Sequence, residues 1–192
     1  MRFLYVAVSA FFLLAACKKT KDKPAETPLP PAAADLSRTF FYPASNSTLT
    51  ASYTLVKDSI VALAKINENK QLIISFDVPY TKGNDYILFT IEKDNIKPGY
   101  KGDYNIIHSE LSGLRGDVQV NYRYKRELYS YVEFLPGNAD GSFAITAYDE
   151  TKKLVAGTYV FHINSFHDPK VGSNWVETKI DVQGKFENLQ IK

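Results

Sequence analysis

Three groups of side chains in this sequence have the types and spacing to do chemistry. The first is a thiol. Cys17 is the only cysteine and directly follows Leu14-Ala15-Ala16. A thiolate is a strong nucleophile and can be covalently modified. With that thiol committed, the remaining chain has no disulfide, no thiolate metal site and no cysteine nucleophile. The second group is His162 with His167 and Asp168, a mixed nitrogen and oxygen set of the kind that binds transition metals. Their spacing spans the end of a strand, so convergence is not built in. Asn138-Ala139-Asp140-Gly141 alternates ligands as a Ca²⁺ loop does, but the later bidentate Glu is missing. The third group is Tyr129, Tyr131 and Arg123, residue types that dominate binding patches when rigid strands present them.

The simpler readings of the second group are surface histidines beside Pro169 and solvated turn acids. Two carboxylates in a groove would suit glycoside hydrolysis, but their separation is a matter of the fold. The sequence has no Gly-x-Ser-x-Gly elbow, phosphate-binding loop or His-Glu-x-x-His run. The expectation is therefore a non-enzymatic protein with no cofactor and no metal.

The elements around these groups begin with an export segment. Arg2 is followed by the apolar run Phe3–Leu14. As a helix that run reaches only about 18 Å, short of the ~30 Å hydrocarbon core. Leu14-Ala15-Ala16-Cys17 resembles the lipobox of bacterial lipoproteins at all its positions. The resemblance implies cleavage after Ala16 and a diacylglyceryl group on Cys17; Lys18 in place of a retention aspartate makes the outer membrane the expected location, with the face left open. Residues 1–16 are then the signal peptide. Residues 17–37 are a Pro-rich disordered tether of polar and small residues, and 38–192 form one domain. That domain is long enough to bury roughly 70% of its unfolded surface. Without Arg2 the mature chain has 22 basic and 21 acidic residues, or +1. No basic stripe stands out, so nucleic acid is not an expected partner.

From residue 47 the apolar pattern has period two, the mark of half-buried strands. Ile60, Ala62, Ala64 and Ile66 share one face, with Val61 and Leu63 on the other. Strand is preferred to helix over 58–69. Leu72, Ile74, Phe76 and Val78 share a face that Pro79 ends, and Lys82-Gly83-Asn84-Asp85 reads as a turn. Further strands are expected in YILFTI, DYNIIH, DVQVNYRY, LYSYVEF, SFAITAYD, LVAGTYVFHI, WVETKIDV and KFENLQI. About ten short strands with tight turns define an all-β fold, an antiparallel β-sandwich or flattened barrel. Gly102, Gly141, Gly157 and Gly184 each precede an aromatic by two residues, reading as places where curved strands are pinned.

The Gly-x-aromatic strands from Gly141 to Lys192, with LIISFDV and IKPGYKGDY before them, resemble small uncharacterised β-domains of Bacteroidetes lipoproteins. The resemblance implies fold and lineage and brings no catalytic residue.

In the hairpin 118–134, a register placing Val118 opposite Phe134 and Val120 opposite Val132 buries an apolar face that Tyr122 and Tyr124 extend. It turns Tyr129 and Tyr131 outward beside Arg123. The leading expectation is a lipid-anchored cell-envelope domain that binds polysaccharide, peptide or protein through this face. The alternatives are a calycin-like barrel around a small apolar ligand and a carboxylate-dependent hydrolase.

Overall fold

Alternation of apolar and polar residues decides the architecture. The computed structural model describes residues 28–109, 112–125, 131–134, 138–168 and 176–192. In chain order the elements are β1 (Ala33–Tyr42), β2 (Ser47–Thr54), the single turn α1 (Leu55–Asp58), β3 (Val61–Ile66) and β4 (Leu72–Asp77). There follow β5 (Asp85–Ile91), β6 (Gly102–Ser109), β7 (Leu114–Arg115), β8 (Val118–Lys125) and β9 (Tyr131–Phe134). Three long strands complete the chain, β10 (Asn138–Asp149), β11 (Leu154–His167) and β12 (Glu177–Gln190). A seven-stranded sheet has the order β2-β1-β12-β11-β10-β6-β7, and a five-stranded sheet the order β3-β4-β5-β8-β9. The strand pairs in both sheets are antiparallel, and neither sheet closes into a barrel, so the fold is a sandwich. Past β12 the chain crosses to the smaller sheet, where Ile191 bridges Ala64 and the Lys192 amide donates to the Ala64 carbonyl at 3.0 Å.

Between the sheets lies a layer of rings. Phe76 and Phe89 come from the smaller sheet, Tyr104, Phe143, Tyr159, Phe161 and Phe186 from the larger, and all are buried. Phe89 is 4.9 Å from both Phe143 and Tyr159, centroid to centroid, and Phe76 is 5.1 Å from Tyr159. Tilted and edge-on pairs at such spacing add about 0.5–1.5 kcal/mol each to the burial of the rings. The glycines make room for them. Register places Gly157 opposite Phe186 and Gly184 opposite Tyr159. A Cβ at 157 would lie 2.5 Å from the Phe186 ring, and one at 184 would lie 2.5 Å from the Tyr159 hydroxyl. The same hydroxyl donates to the Asp35 carbonyl at 3.1 Å, tying β11 to β1 across β12.

The structure differs from the sequence expectations in four places. The sheet begins at Ala33, inside the span assigned to the tether, with Ala34 and Leu36 buried between β2 and β12. Small residues after prolines hid its alternation. WVETKIDV and KFENLQI are not two strands, since β12 runs unbroken from Glu177 through Gly184 to Gln190. Asp85 is not a turn residue but the fully buried start of β5. Finally, Phe134 lies opposite Tyr122 and Val132 opposite Tyr124, not opposite the valines. The expected register required a tight turn at Lys125-Arg126-Glu127, which offers no Gly or Asn for positive φ. The partner of Phe134 moves four positions along β8, from Val118 to Tyr122, an even shift.

Candidate functional site

The most concentrated polar chemistry is inside the sandwich. Arg38 of β1 and Asp85 of β5 both point inward and are almost wholly buried. The guanidinium grips the carboxylate with two bonds, Nε to Oδ1 at 2.9 Å and Nη2 to Oδ2 at 3.1 Å. Its Nη1 donates to the Leu49 carbonyl at 3.3 Å, and its plane lies 4.0 Å from the Phe40 ring centroid. Tyr53 of β2 donates to Oδ2 at 2.9 Å, and Tyr122 of β8 donates to Oδ1. Asp85 therefore accepts four hydrogen bonds from three strands, which fills the lone pairs of an ionised carboxylate.

Burial by itself would lower the pKa of Arg38, but its bonds to and attraction by Asp85, together with Tyr122 and Tyr53, hold it above the ordinary value. Burial and then the Asp85 charge push the Tyr53 and Tyr122 hydroxyls up. A carboxylate so saturated has no lone pair left to take a proton from a substrate. Its chemistry is that of a clasp, joining β1 and β2 of one sheet to β5 and β8 of the other. Gly83 serves it too, since a Cβ there would lie 2.5 Å from the Tyr53 ring.

Arg123 sits elsewhere, on the outer face of the five-stranded sheet. Its guanidinium lies 5.3 Å from the centroid of the Tyr86 ring, its direct partner across β5 and β8. Cross-strand register builds rows on this face: Val61, Asp77, Tyr86, Arg123 and Glu133 in one, Leu63, Ser75, Leu88 and Asn121 in the next. Val61 and Leu63 are about half exposed, Tyr86, Leu88 and Ile73 are half-buried, and Ser75 is buried although it faces outward. At the end of the sheet Lys125 bonds Asp77 and donates to the Val78 carbonyl at 2.8 Å. Tyr131 pairs with Lys125 by its backbone, at the start of β9. Tyr129 and Cys17 lie outside the described residues. Sequence reasoning missed Tyr86, although its place two residues before Leu88 in YILFTI assigns it to the outer face once Ile87 and Phe89 point inward.

The outer face of the seven-stranded sheet is of a different kind. Ser37 and Ser52 share a hydrogen bond at 3.0 Å, and Thr39 and Thr50 share one at 2.9 Å. His162 does face away from Tyr159, Phe161 and Ile163, but its Nδ1 meets Asp181 at 2.7 Å rather than joining His167 and Asp168. Asp140 accepts from Asn164 at 3.2 Å. Among the described residues no three His, Cys, Asp or Glu side chains are placed to hold a metal ion.

The fold and these sites define a two-sheet antiparallel sandwich with one largely polar outer face, where Ile107 is nonetheless 40% exposed, and one mixed polar, apolar and aromatic outer face. No protein family, curated protein or solved structure matches the chain.

Proposed function

We propose that this is a lipid-anchored protein of the cell envelope, held in the outer membrane through Cys17, whose sandwich binds a protein partner without chemistry of its own. The contact surface is the outer face of the five-stranded sheet around Tyr86 and Arg123. The observation that carries this reading is the apolar and aromatic cluster on that face: Val61, Leu63, Ile73, Leu88 and Tyr86 stand with Arg123 among Lys65, Ser75, Asp77, Thr90, Asn121 and Lys125. Apolar side chains with Tyr and Arg among them, and few Lys or Glu, are what interface cores are made of. A glycan would instead call for exposed rings ringed by hydrogen-bonding groups, and exposed Val61 and Leu63 do not suit it.

The test uses the purified chain, an R123E/L63E variant and a Q183E control on the opposite face. Wild type and Q183E should capture the same envelope protein, and R123E/L63E should lose it by at least about tenfold, as expected when an interface centre is charged. Equal capture by all three, or binding of a glycan array that the double variant leaves unchanged, contradicts the reading. The anchor is tested separately: Cys17→Ala should release the protein from membranes, and retention after a carbonate wash contradicts it.

A further inference from the structure

We infer that the end of the sandwich where residues 29–35 enter the fold rests on the lipid surface, with α1 dipping Val56 into the interface; this rests on anchoring through Cys17. The chain fixes where the membrane must be. Pro31 is already tied to the domain, its carbonyl accepting from the Asn188 side chain at 3.0 Å. Only the dozen or so residues between Cys17 and Leu29 remain as a leash, about 37 Å in polyproline II form. Four of them are lysines, Lys18, Lys19, Lys21 and Lys23, against Asp22 and Glu26, and the net charge of +2 favours anionic headgroups. That length bounds the distance of the exit point from the bilayer, and that charge favours the approach.

The exit point is itself apolar. Two shallow hollows flank the entering segment. One, of about 210 Å³, is lined by Ala33, Ala34, Leu55 and Val56, with Asp35, Thr54, Lys185 and Glu187 at its polar side. The other, of about 250 Å³, is formed by Leu29, Pro30, Ala32, Leu154 and Leu189 and reaches Leu63 on the edge strand of the five-stranded sheet, so only the Val56 hollow is assigned to the lipid. Val56 is 86% exposed, the most exposed large apolar side chain among the described residues, and Leu29 is 46% exposed. The turn that presents Val56 is braced from both sides. The Lys57 amide donates to the Thr54 hydroxyl at 3.2 Å, and the Thr54 amide donates to the Asp58 carboxylate at 2.8 Å. The pair resembles a helix capping box with its carboxylate one residue later than usual, and it holds the turn that carries the apolar tip. Lys57 and Lys185 lie next to the tip, so the patch pairs an apolar insert with cations, as interfacial anchors do.

The experiment couples the chain beginning at Cys17, through its only thiol, to maleimide lipid in phosphatidylcholine and phosphatidylglycerol vesicles. Anchoring is thereby supplied whether or not the cell lipidates this residue. Val56→Trp and Thr48→Trp are compared with the unsubstituted chain, whose single Trp175 sets the baseline. Thr48 lies at the far end of the β1–β2 hairpin, some eight residues or about 26 Å along the strands from Ala33. In vesicles carrying bromines on the acyl chains, the added Val56→Trp emission should fall by about half or more, as for a ring seated 5–10 Å into the interface. The Thr48→Trp emission should be unaffected. Equal quenching of the two, or none at Val56→Trp, overturns the inference while leaving the Cys17 fractionation to judge the anchor on its own.

Discussion

The two sheets solve opposite problems. The seven-stranded sheet keeps its specificity inside: glycine stands opposite aromatic on neighbouring strands, and the outward side carries hydroxyl ladders and the His162–Asp181 pair. The five-stranded sheet is apolar inside, with Phe76 and Phe89, and mixed outside, where Leu63, Leu88 and Tyr86 stand among Ser75, Asp77, Asn121 and Arg123. A sheet that faces water on one side ordinarily alternates apolar and polar residues. That contrast is what supports the proposal that the smaller sheet's outer surface is covered by a partner. The Arg38–Asp85 clasp joins the two halves and makes their packing conditional on one buried ion pair.

That conditional joint is where the molecule breaks most easily. Asp85→Ala should destabilise by about 3–5 kcal/mol, because it leaves the Arg38 guanidinium buried without a partner. Urea unfolding followed by circular dichroism measures it, and a loss within 1 kcal/mol of wild type would remove the clasp from the account. Gly184→Ala, inside the larger sheet, should cost about 1–3 kcal/mol. Its methyl group would come 2.3 Å from the Asp35 carbonyl and must push β1 or the Tyr159 ring aside.

The pH dependence follows from the tyrosines on the clasp. Tyr53 and Tyr122 are held above the usual phenol range, so the folded protein keeps protons that the unfolded chain gives up. Their contribution is complete below about pH 10 and declines as the pH rises from there towards the folded pKa values. Thermal melts should therefore fall above about pH 10, and Tyr53→Phe should flatten that fall. On the outer faces, Leu63→Glu and Gln183→Glu should each change stability by less than about 0.5 kcal/mol. Only the first should weaken partner capture.

Much of this comparison could be read from residue order. The buried face of Leu72, Ile74, Phe76 and Val78, the inward course of Val118, Val120, Tyr122 and Tyr124, and the outward position of His162 all follow from period two. Period two assigns a face but not an offset, which is why Phe134 lies opposite Tyr122 where Val118 was expected. The clasp was illegible for another reason. Arg38 and Asp85 are 47 positions apart, Arg38 stands in a stretch of small and polar residues, and Asp85 follows Gly83-Asn84 like any turn acid. Only the approach of the two sheets makes them partners. The outer face of the smaller sheet was half legible, since Val61, Leu63 and Arg123 were placed correctly but Tyr86 was not singled out.

The claim that the five-stranded sheet's outer face is the binding surface is tested most directly by photo-crosslinking in living cells. A benzophenone side chain replaces Leu63 in one strain and Gln183 in another, on the two opposite faces. The account predicts a discrete crosslinked protein from position 63, abolished by adding R123E, and nothing comparable from position 183. The same adduct from both positions, or adducts from position 183 alone, would contradict it.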